Sequence, residues 1–382
     1  MTMIRSRRHV LRDMAAVGAG LLFCPRVAFA AAPGERRFVF VIQRGAADGL
    51  HTLVPHGDPD YARQRGALAV DPAGMTKLDG MFGLHPALAE TGRMYGAGQV
   101  IGFHAVASAY RERSHFDGQN VLETGGSRPY ALKDGWMNRL VGLMPGQTAE
   151  PIAFAPTVPL ALRGAAAVTS YAASGLPRAT DDLMARVDQL YAQDAALHVL
   201  WTAATTTREQ AGEDAKGQDP ATVGKLAAGF LARPDGPRIA MIETGGWDTH
   251  SGQAGRLAAQ LKRLDTLIAA LRDGMGAAWS QTVVLVATEF GRTVAVNGTG
   301  GTDHGTGSAA LLVGGAVKGG RVIADWPGLA TQALYEGRDL RPTAALEDIV
   351  AATVSETFGV DATSLFSDDR KKGRIGGLIR SS

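Results

Sequence analysis

Three short motifs within residues 241–308 bring carboxylates, imidazoles and glycines together at spacings that suit a common site. Gly245-Gly246-Trp247-Asp248-Thr249-His250 follows the apolar run 238–242, and Thr288-Glu289-Phe290-Gly291-Arg292 follows the run 282–287. Gly300-Gly301-Thr302-Asp303-His304-Gly305-Thr306-Gly307 precedes the run 309–313. Asp248 and His250 lie two apart, which puts both side chains on one side of an extended segment. Asp303 and His304 are adjacent, and only a permissive glycine-rich backbone lets both turn inward. Carboxylates gathered in one place repel unless a cation or a shared proton compensates. Asp248, His250, Glu289, Asp303 and His304 therefore point to a divalent metal held by oxygen and nitrogen: zinc, manganese, magnesium or calcium. Arg292 either binds an anionic substrate or pairs with Glu289.

A second cluster, Arg111-Glu112-Arg113-Ser114-His115-Phe116-Asp117, sets two arginines around a hydroxyl, an imidazole and a carboxylate. That suits an anion held by Arg113 beside Ser114 or His115 as nucleophile or metal ligand. It reads equally as a helix start capped by Ser114, and a helix N-terminus is itself a place to hold an anion. Asp48, in Gly45-Ala46-Ala47-Asp48-Gly49, is either a further metal ligand or a turn aspartate bonded to its own backbone.

Positioning these groups requires strands that end beside one another. The runs 37–42, 99–104, 238–242, 282–287 and 309–313 are continuous and apolar, as strands buried on both faces are. Leu257, Leu261, Leu264, Ile268 and Leu271 recur at helical spacing, so 238–287 reads as strand, site loop, helix, strand. In open α/β sheets, loops at the carboxyl ends of parallel strands converge on one crevice. The spacing also predicts an amphipathic helix over 181–201 with Asp181 as cap, then a polar linker over 202–222. Residues 56–81 read as surface loop. No phosphate-binding G-x-x-x-x-G-K motif occurs, and Gly298-Thr299-Gly300-Gly301 precedes a strand instead of a helix.

With 382 residues, 45% hydrophobic and 20% charged, the chain can bury a large core. A net charge of +2 with no long basic run argues against a nucleic-acid partner. Arg7-Arg8, the short apolar stretch 14–23 and Ala28-Phe29-Ala30 read as a twin-arginine signal over residues 1–30, removed before a single α/β domain, 31–382, acts in the periplasm or outside the cell. A basic start to a cytoplasmic helix and lipidation at Cys24 are the rivals. The apolar stretch is too short to span a bilayer, and no later run reaches spanning length. Cys24 is the one cysteine, so the processed chain would have no disulfide and no thiolate ligand.

Together, the twin-arginine start, Arg44-Gly45-Ala46-Ala47-Asp48-Gly49-Leu50, Arg113-Ser114-His115-Phe116-Asp117-Gly118-Gln119, the Gly-Gly-Trp-Asp-Thr-His motif, Thr-Glu-Phe-Gly-Arg and Gly-Gly-Thr-Asp-His-Gly resemble the bacterial exported family called domain of unknown function 1501. That family is similar to the alkaline phosphatase and sulfatase superfamily. The resemblance implies an alkaline-phosphatase-like α/β fold, a mixed, mostly parallel sheet sandwiched between helices, with metal-assisted hydrolysis of phosphate or sulfate esters at strand ends. It implies metal ligation by Asp48, Asp248, His250 and His304, and Ser114 as nucleophile. In alkaline phosphatases the aspartate and histidine of the first metal site are four apart; here they are two apart, and Glu289-Phe290 stands where an Asp-His pair is expected, so one histidine ligand is missing. No C/S-x-P-x-R element surrounds Ser114.

Two functions follow as expectations. One is an exported metal-dependent hydrolase of an anionic small-molecule or polysaccharide ester, carried out by the twin-arginine translocase; the other is a non-catalytic relative that binds an envelope partner, polysaccharide or anion. Export is open to direct test. Replacing Arg7 and Arg8 together with lysine should leave the precursor in the cytoplasm, as fractionation would show, whereas normal periplasmic accumulation of the double variant would contradict the signal.

Overall fold

Continuous apolar runs become the middle of one large sheet. The computed structural model describes residues 35–144, 150–173, 179–211, 218–366 and 375–381; the expected signal at 1–30 lies outside them. Its strands, numbered along the chain, are β1 (Arg37–Gln43), β2 (Leu53–Val54), β3 (Thr76–Lys77), β4 (Gly83–Leu84), β5 (Val100–Ala107), β6 (Ile152–Phe154), β7 (Thr169–Ser170), β8 (Ile239–Thr244), β9 (Thr282–Ala287), β10 (Ser308–Val313), β11 (Arg321–Ile323) and β12 (Ala344–Ala345). The main sheet runs β11-β5-β10-β9-β1-β8-β6-β7, with β12 paired to β5; β2, β4 and β3 form a separate small sheet.

β1 lies at the centre, parallel to β8 on one side and to β9 on the other. Within the main sheet only β10 runs antiparallel to its neighbours, β9 and β5. Each residue of β1 is buried, and alternate side chains serve opposite layers, as a pleat with period two requires. Val39 and Val41 pack toward Leu257, Leu261, Leu264, Ile268 and Leu271 of the helix Gln253–Met275. Phe38, Phe40 and Ile42 pack toward Trp136, Leu140, Ile349 and Val350, on the helices Trp136–Leu143 and Leu346–Phe358. The fold is thus a mixed, mostly parallel sheet between helices. The leucine stripe is 0–1% exposed, so truncating Leu261 to alanine should cost about 2–5 kcal/mol. No helix among the described residues is long and apolar enough to cross a membrane.

The direction of the strands decides where the site can be. β1, β5, β8 and β9 end at the same edge, and antiparallel β10 begins there. Loops 44–48, 108–115, 245–250 and 288–293 therefore leave this edge, and loop 300–307 arrives at it.

Three expectations need correction. Over 181–201 there are two helices, Asp181–Tyr191 and Ala195–Ala211, and the side chain of Thr180, not Asp181, caps the first by accepting from Leu183 N at 3.3 Å. Leu183, Leu190 and Leu197 are 42–71% exposed, so among the described residues their helical spacing marks no buried stripe. The supposed linker continues the second helix to Ala211; residues 212–217 lie outside the described part, and Asp219 caps a new helix, Pro220–Leu231, with proline at its first position. The loop at 56–81 contains the helix Tyr61–Arg65, whose Tyr61 and Arg65 are buried.

His104, in the middle of β5, is fully buried. Its Nε2–H donates to the Leu53 carbonyl at 2.8 Å, and Ala105 N donates to Nδ1 at 2.7 Å. The ring is therefore held neutral, and burial pushes its pKa from 6.5 down to about 4. Below the ordinary value the unfolded chain takes up a proton that the folded chain refuses, so stability falls as pH drops from about 6.5 toward 4. One such group contributes on the order of 3 kcal/mol over that window. His104→Gln should flatten the decline of melting temperature across this range; an unchanged slope would contradict the neutral buried ring.

Candidate functional site

Three histidines from three loops meet around Asp248. His115 opens the helix His115–Thr124, whose fourth-next residue Gln119 lies on the same face. Both reach back to Glu289: His115 Nδ1 lies 2.9 Å and Gln119 Nε2 3.1 Å from Glu289 Oε1. Glu289 is fully buried at the end of β9 and also accepts from Gly45 N at 2.9 Å and Thr288 Oγ1 at 2.9 Å. Burial works to raise its pKa, yet these donors outweigh it and hold the carboxyl below the usual range. A carboxylate can only accept, so His115 carries its hydrogen on Nδ1 and turns Nε2 the other way. That Nε2 is buried without a hydrogen-bond partner, 3.4 Å from Asp248 Oδ2.

His304 repeats the arrangement with a different anchor. Its Nδ1–H donates to the Arg113 carbonyl at 2.9 Å, and its Nε2 lies 3.3 Å from Asp248 Oδ1. Burial, with His115 close by, pushes its pKa below the ordinary value against the pull of that carbonyl and of Asp248. His250 is the third: Nδ1 lies 3.2 Å from Asp303 Oδ1, and Nε2 lies 3.0 Å from both Asp248 Oδ1 and His304 Nε2. In each ring one nitrogen is tied to an oxygen behind it, so in the neutral form the other would face Asp248 as a lone pair. The Glu289 hydrogen bond, against burial and with Asp248 nearby, holds the His115 pKa above its ordinary value.

Asp248 is aimed by Arg292, which donates to Oδ1 through Nη1 at 2.5 Å. Burial would raise the Asp248 pKa, but that contact, followed by His250 and His115, leaves the carboxyl ionised below its usual range. Arg292 is itself 1% exposed and spends its other nitrogens on Thr302, Nε on Oγ1 at 3.1 Å and Nη2 on the carbonyl. Tight backbone contacts hold the loops in register. Arg292 bridges His304, Gly291 N donates to the Thr306 carbonyl at 2.9 Å, and a Cβ at Gly291 would sit 1.8 Å from the Gly307 carbonyl oxygen. Gly45, at φ +119°, lies against Asp248, where a Cβ would come within 2.6 Å of its backbone nitrogen.

A tetrahedral ion with bonds of about 2.1 Å holds its ligand atoms about 3.4 Å apart. His115 Nε2 lies 3.4 Å from Asp248 Oδ2 and His304 Nε2 3.3 Å from Asp248 Oδ1, near that spacing, and His250 Nε2 lies closer, 3.0 Å from Asp248 Oδ1 and from His304 Nε2. His115, Asp248 and His304 form the group whose ligand atoms lie within 4.8 Å of one another, and His250 touches two of its members. The Asp248 and His250 side chains are 42% and 46% exposed, so the cluster can be reached from solvent.

The expected ligands divide. Asp248, His250 and His304 converge; Glu289 and Asp303 stand behind His115 and His250 and orient them; and His115 supplies a third imidazole. Asp48 is elsewhere engaged. It is 1% exposed, accepts from Arg65 Nη2 and Gln253 Nε2 at 2.5 Å each, and caps the short helix Gly49–Thr52 through His51 N. Burial raises the pKa of this carboxyl, but Arg65, with His51 and Gln253, brings it below the usual range, and removing either partner of such a buried pair costs about 3–5 kcal/mol. Gln253 links it onward, since Oε1 accepts from Thr302 Oγ1 at 2.6 Å and Thr249 Oγ1 at 2.9 Å.

The arginines expected to hold an anion are committed within the protein. Arg113 pairs with Asp339 and Glu336, and Arg292 pairs with Asp248, not Glu289. Ser114 is the N-cap residue of the His115 helix but makes no side-chain capping bond; its amide donates to Tyr110 Oη at 3.1 Å. Composition and spacing overlooked Gln119, Gln253, Arg65, Asp339 and the Arg113 carbonyl. Only Gln119 carried a signal, its four-residue offset from His115.

No curated protein matches the chain in sequence. Solved structures with a similar chain path include the lipoteichoic acid synthase LtaP from Listeria monocytogenes, with a TM-score of 0.41 at 10% identity over 89% of this chain and 76% of that one. Another is the phosphonate monoester hydrolase of Agrobacterium radiobacter, with a TM-score of 0.36 at 12% identity over 85% and 74%. A third is the PsFucS1 sulfatase from Pseudoalteromonas sp., with a TM-score of 0.36 at 12% identity over 97% and 78%. The likeness is loose. The motifs from Arg113 to His304 all fall within residues 101–374, the span matched by the family described as "Protein of unknown function (DUF1501)", and the chain belongs to that family.

Proposed function

We propose that the protein is an exported, metal-dependent hydrolase of phosphate or sulfate esters in which His115, Asp248, His250 and His304 hold one divalent cation. The observation that carries the reading is the convergence of three imidazole Nε2 atoms on one carboxylate while every Nδ1 is tied to an oxygen acceptor. Two neutral imidazoles so anchored would face each other with lone pairs 3.0 Å apart, an arrangement that a shared cation relieves. Three nitrogens and one oxygen favour zinc over magnesium or calcium. When bound, such an ion polarises an ester oxygen as a Lewis acid. Glu289, the Arg113 carbonyl and Asp303 keep the three rings in their ligating tautomer, and Arg292 keeps Asp248 ionised and aimed. With Arg113 and Arg292 committed, the anionic group of the substrate is met by the cation. Ser114, beside a ligand and free of a capping role, is the nucleophile of this reading. The ester class rests on the motif resemblance, and export rests on Arg7-Arg8.

Metal analysis of protein exported by its native host, with thermal melts in chelator and in zinc, tests the site. Zinc at about a hundred times its dissociation constant should stabilise the protein by about 2.7 kcal/mol, and His304→Ala and His115→Ala should each abolish most of that gain. On aryl phosphates and sulfates, Ser114→Ala should lose on the order of 100-fold in turnover if its hydroxyl attacks, and retain most activity if water attacks. Metal-free protein whose melting is indifferent to chelator and zinc, and whose turnover of every ester equals that of His304→Ala, would move the assignment to a binding protein.

A further inference from the structure

We propose that Asp339 is a positioning residue for His304, acting through Arg113 on the ring and through Arg338 on the backbone. This rests on the metal reading above. Asp339 is fully buried, and its Oδ2 accepts from Arg113 Nε at 3.0 Å and Nη2 at 2.8 Å. Its Oδ1 lies 3.0 Å from Arg338 Nε, an ion pair without the alignment of a hydrogen bond. Each arginine has a second task at the same histidine: the Arg113 carbonyl accepts from His304 Nδ1 at 2.9 Å, and Arg338 Nη2 donates to the His304 carbonyl at 2.5 Å. One carboxylate thus anchors both groups that grip His304.

The backbone shows why an anchor is needed. Arg113 sits at φ +64° and its ion-pair partner Glu336 at φ +52°, left-handed conformations that side chains disfavour and that persist only where the surroundings impose them. Arg113 takes this conformation immediately before the helix that begins at His115, and the same turn presents its carbonyl to His304. Asp339 can impose it because its own backbone is fixed, exchanging hydrogen bonds with Tyr335 at 2.9 and 3.0 Å and bridging Thr293, whose amide in turn donates to the Asp303 carbonyl. If the Arg113 carbonyl turned away, nothing would hold the hydrogen of His304 on Nδ1, and the other tautomer would cover the Nε2 lone pair that faces Asp248. Asp339 itself lies outside the ligand group, so it acts through the two arginines.

The test titrates metal-free wild type, Asp339→Asn and Arg113→Gln with zinc alone by calorimetry, and follows the imidazole nitrogen-15 resonances of His304. Loss of a partner behind a metal ligand commonly costs about 10- to 100-fold in affinity. Asp339→Asn should bind zinc about tenfold or more weakly, and the His304 Nδ1–H signal should shift or exchange away while circular dichroism is retained. Wild-type affinity together with an unshifted Nδ1–H signal would overturn the proposal. Should Asp339→Asn fail to fold, Arg113→Gln keeps the carbonyl but removes the guanidinium; the same losses there support the clamp, and wild-type behaviour there overturns it. Failure of the metal reading is distinguishable, because wild type would then take up no zinc while the His304 resonance would still report whether Asp339 governs the ring.

Discussion

Three imidazole nitrogens directed at one carboxylate set the terms for the rest of this molecule. The Nε2 atoms of His250 and His304 approach to 3.0 Å while the Nδ1 of each is tied to an oxygen, and His115 adds a buried Nε2 with no partner. The buried Nε2 of His115 without a partner costs roughly 1–3 kcal/mol. The cluster persists because each ring is held from behind, by Glu289, Asp303 and the Arg113 carbonyl, and because Arg292 keeps a negative charge at the centre.

The supports are drawn from the whole sheet. Glu289 follows β9, Gly45 follows β1 and lets the backbone of Asp248 approach, and Asp248 follows β8. His304 enters from the opposite direction because β10 is antiparallel, so a loop preceding a strand meets loops that follow strands. In β5, Ala105 takes a left-handed conformation at the irregularity where the register with β10 shifts between Ser308 and Ala309, which marks a bulge on the strand leading toward His115. Behind the site a buried chain runs from Arg65 through Asp48 and Gln253 to Thr302 and Arg292. Asp48 therefore serves the site by stiffening it. Sequence and geometry agree that this aspartate matters but assign it different work.

The central strands were legible because burial on both faces makes them continuous apolar runs, and the 253–275 helix because its leucines recur at helical spacing over a buried stripe. The pair of helices after Asp181 was not, since Leu183, Leu190 and Leu197 satisfy the same periodicity while exposed, and periodicity reports an apolar stripe whether or not anything covers it. Asp248, His250 and His304 were legible as candidates for one site because they stand in glycine-bearing loops at strand ends, and their side chains do meet. His115 was legible as a nucleophile or a ligand but not as a neighbour of His304, and its contact with Glu289, remote in sequence, carried no signal. Arg113 shows the limit most plainly: its side chain drew attention as an anion holder, whereas its carbonyl touches the site and its charge serves Asp339. Backbone groups carry no signature in residue type.

Whether these four side chains hold a single ion is measured directly by X-ray absorption at the zinc edge, on protein loaded with one equivalent. Scattering from three imidazoles and one carboxylate oxygen is expected, with bonds of about 2.0–2.2 Å. A shell with no more than one imidazole, or an ion that washes away under the same conditions, would contradict it.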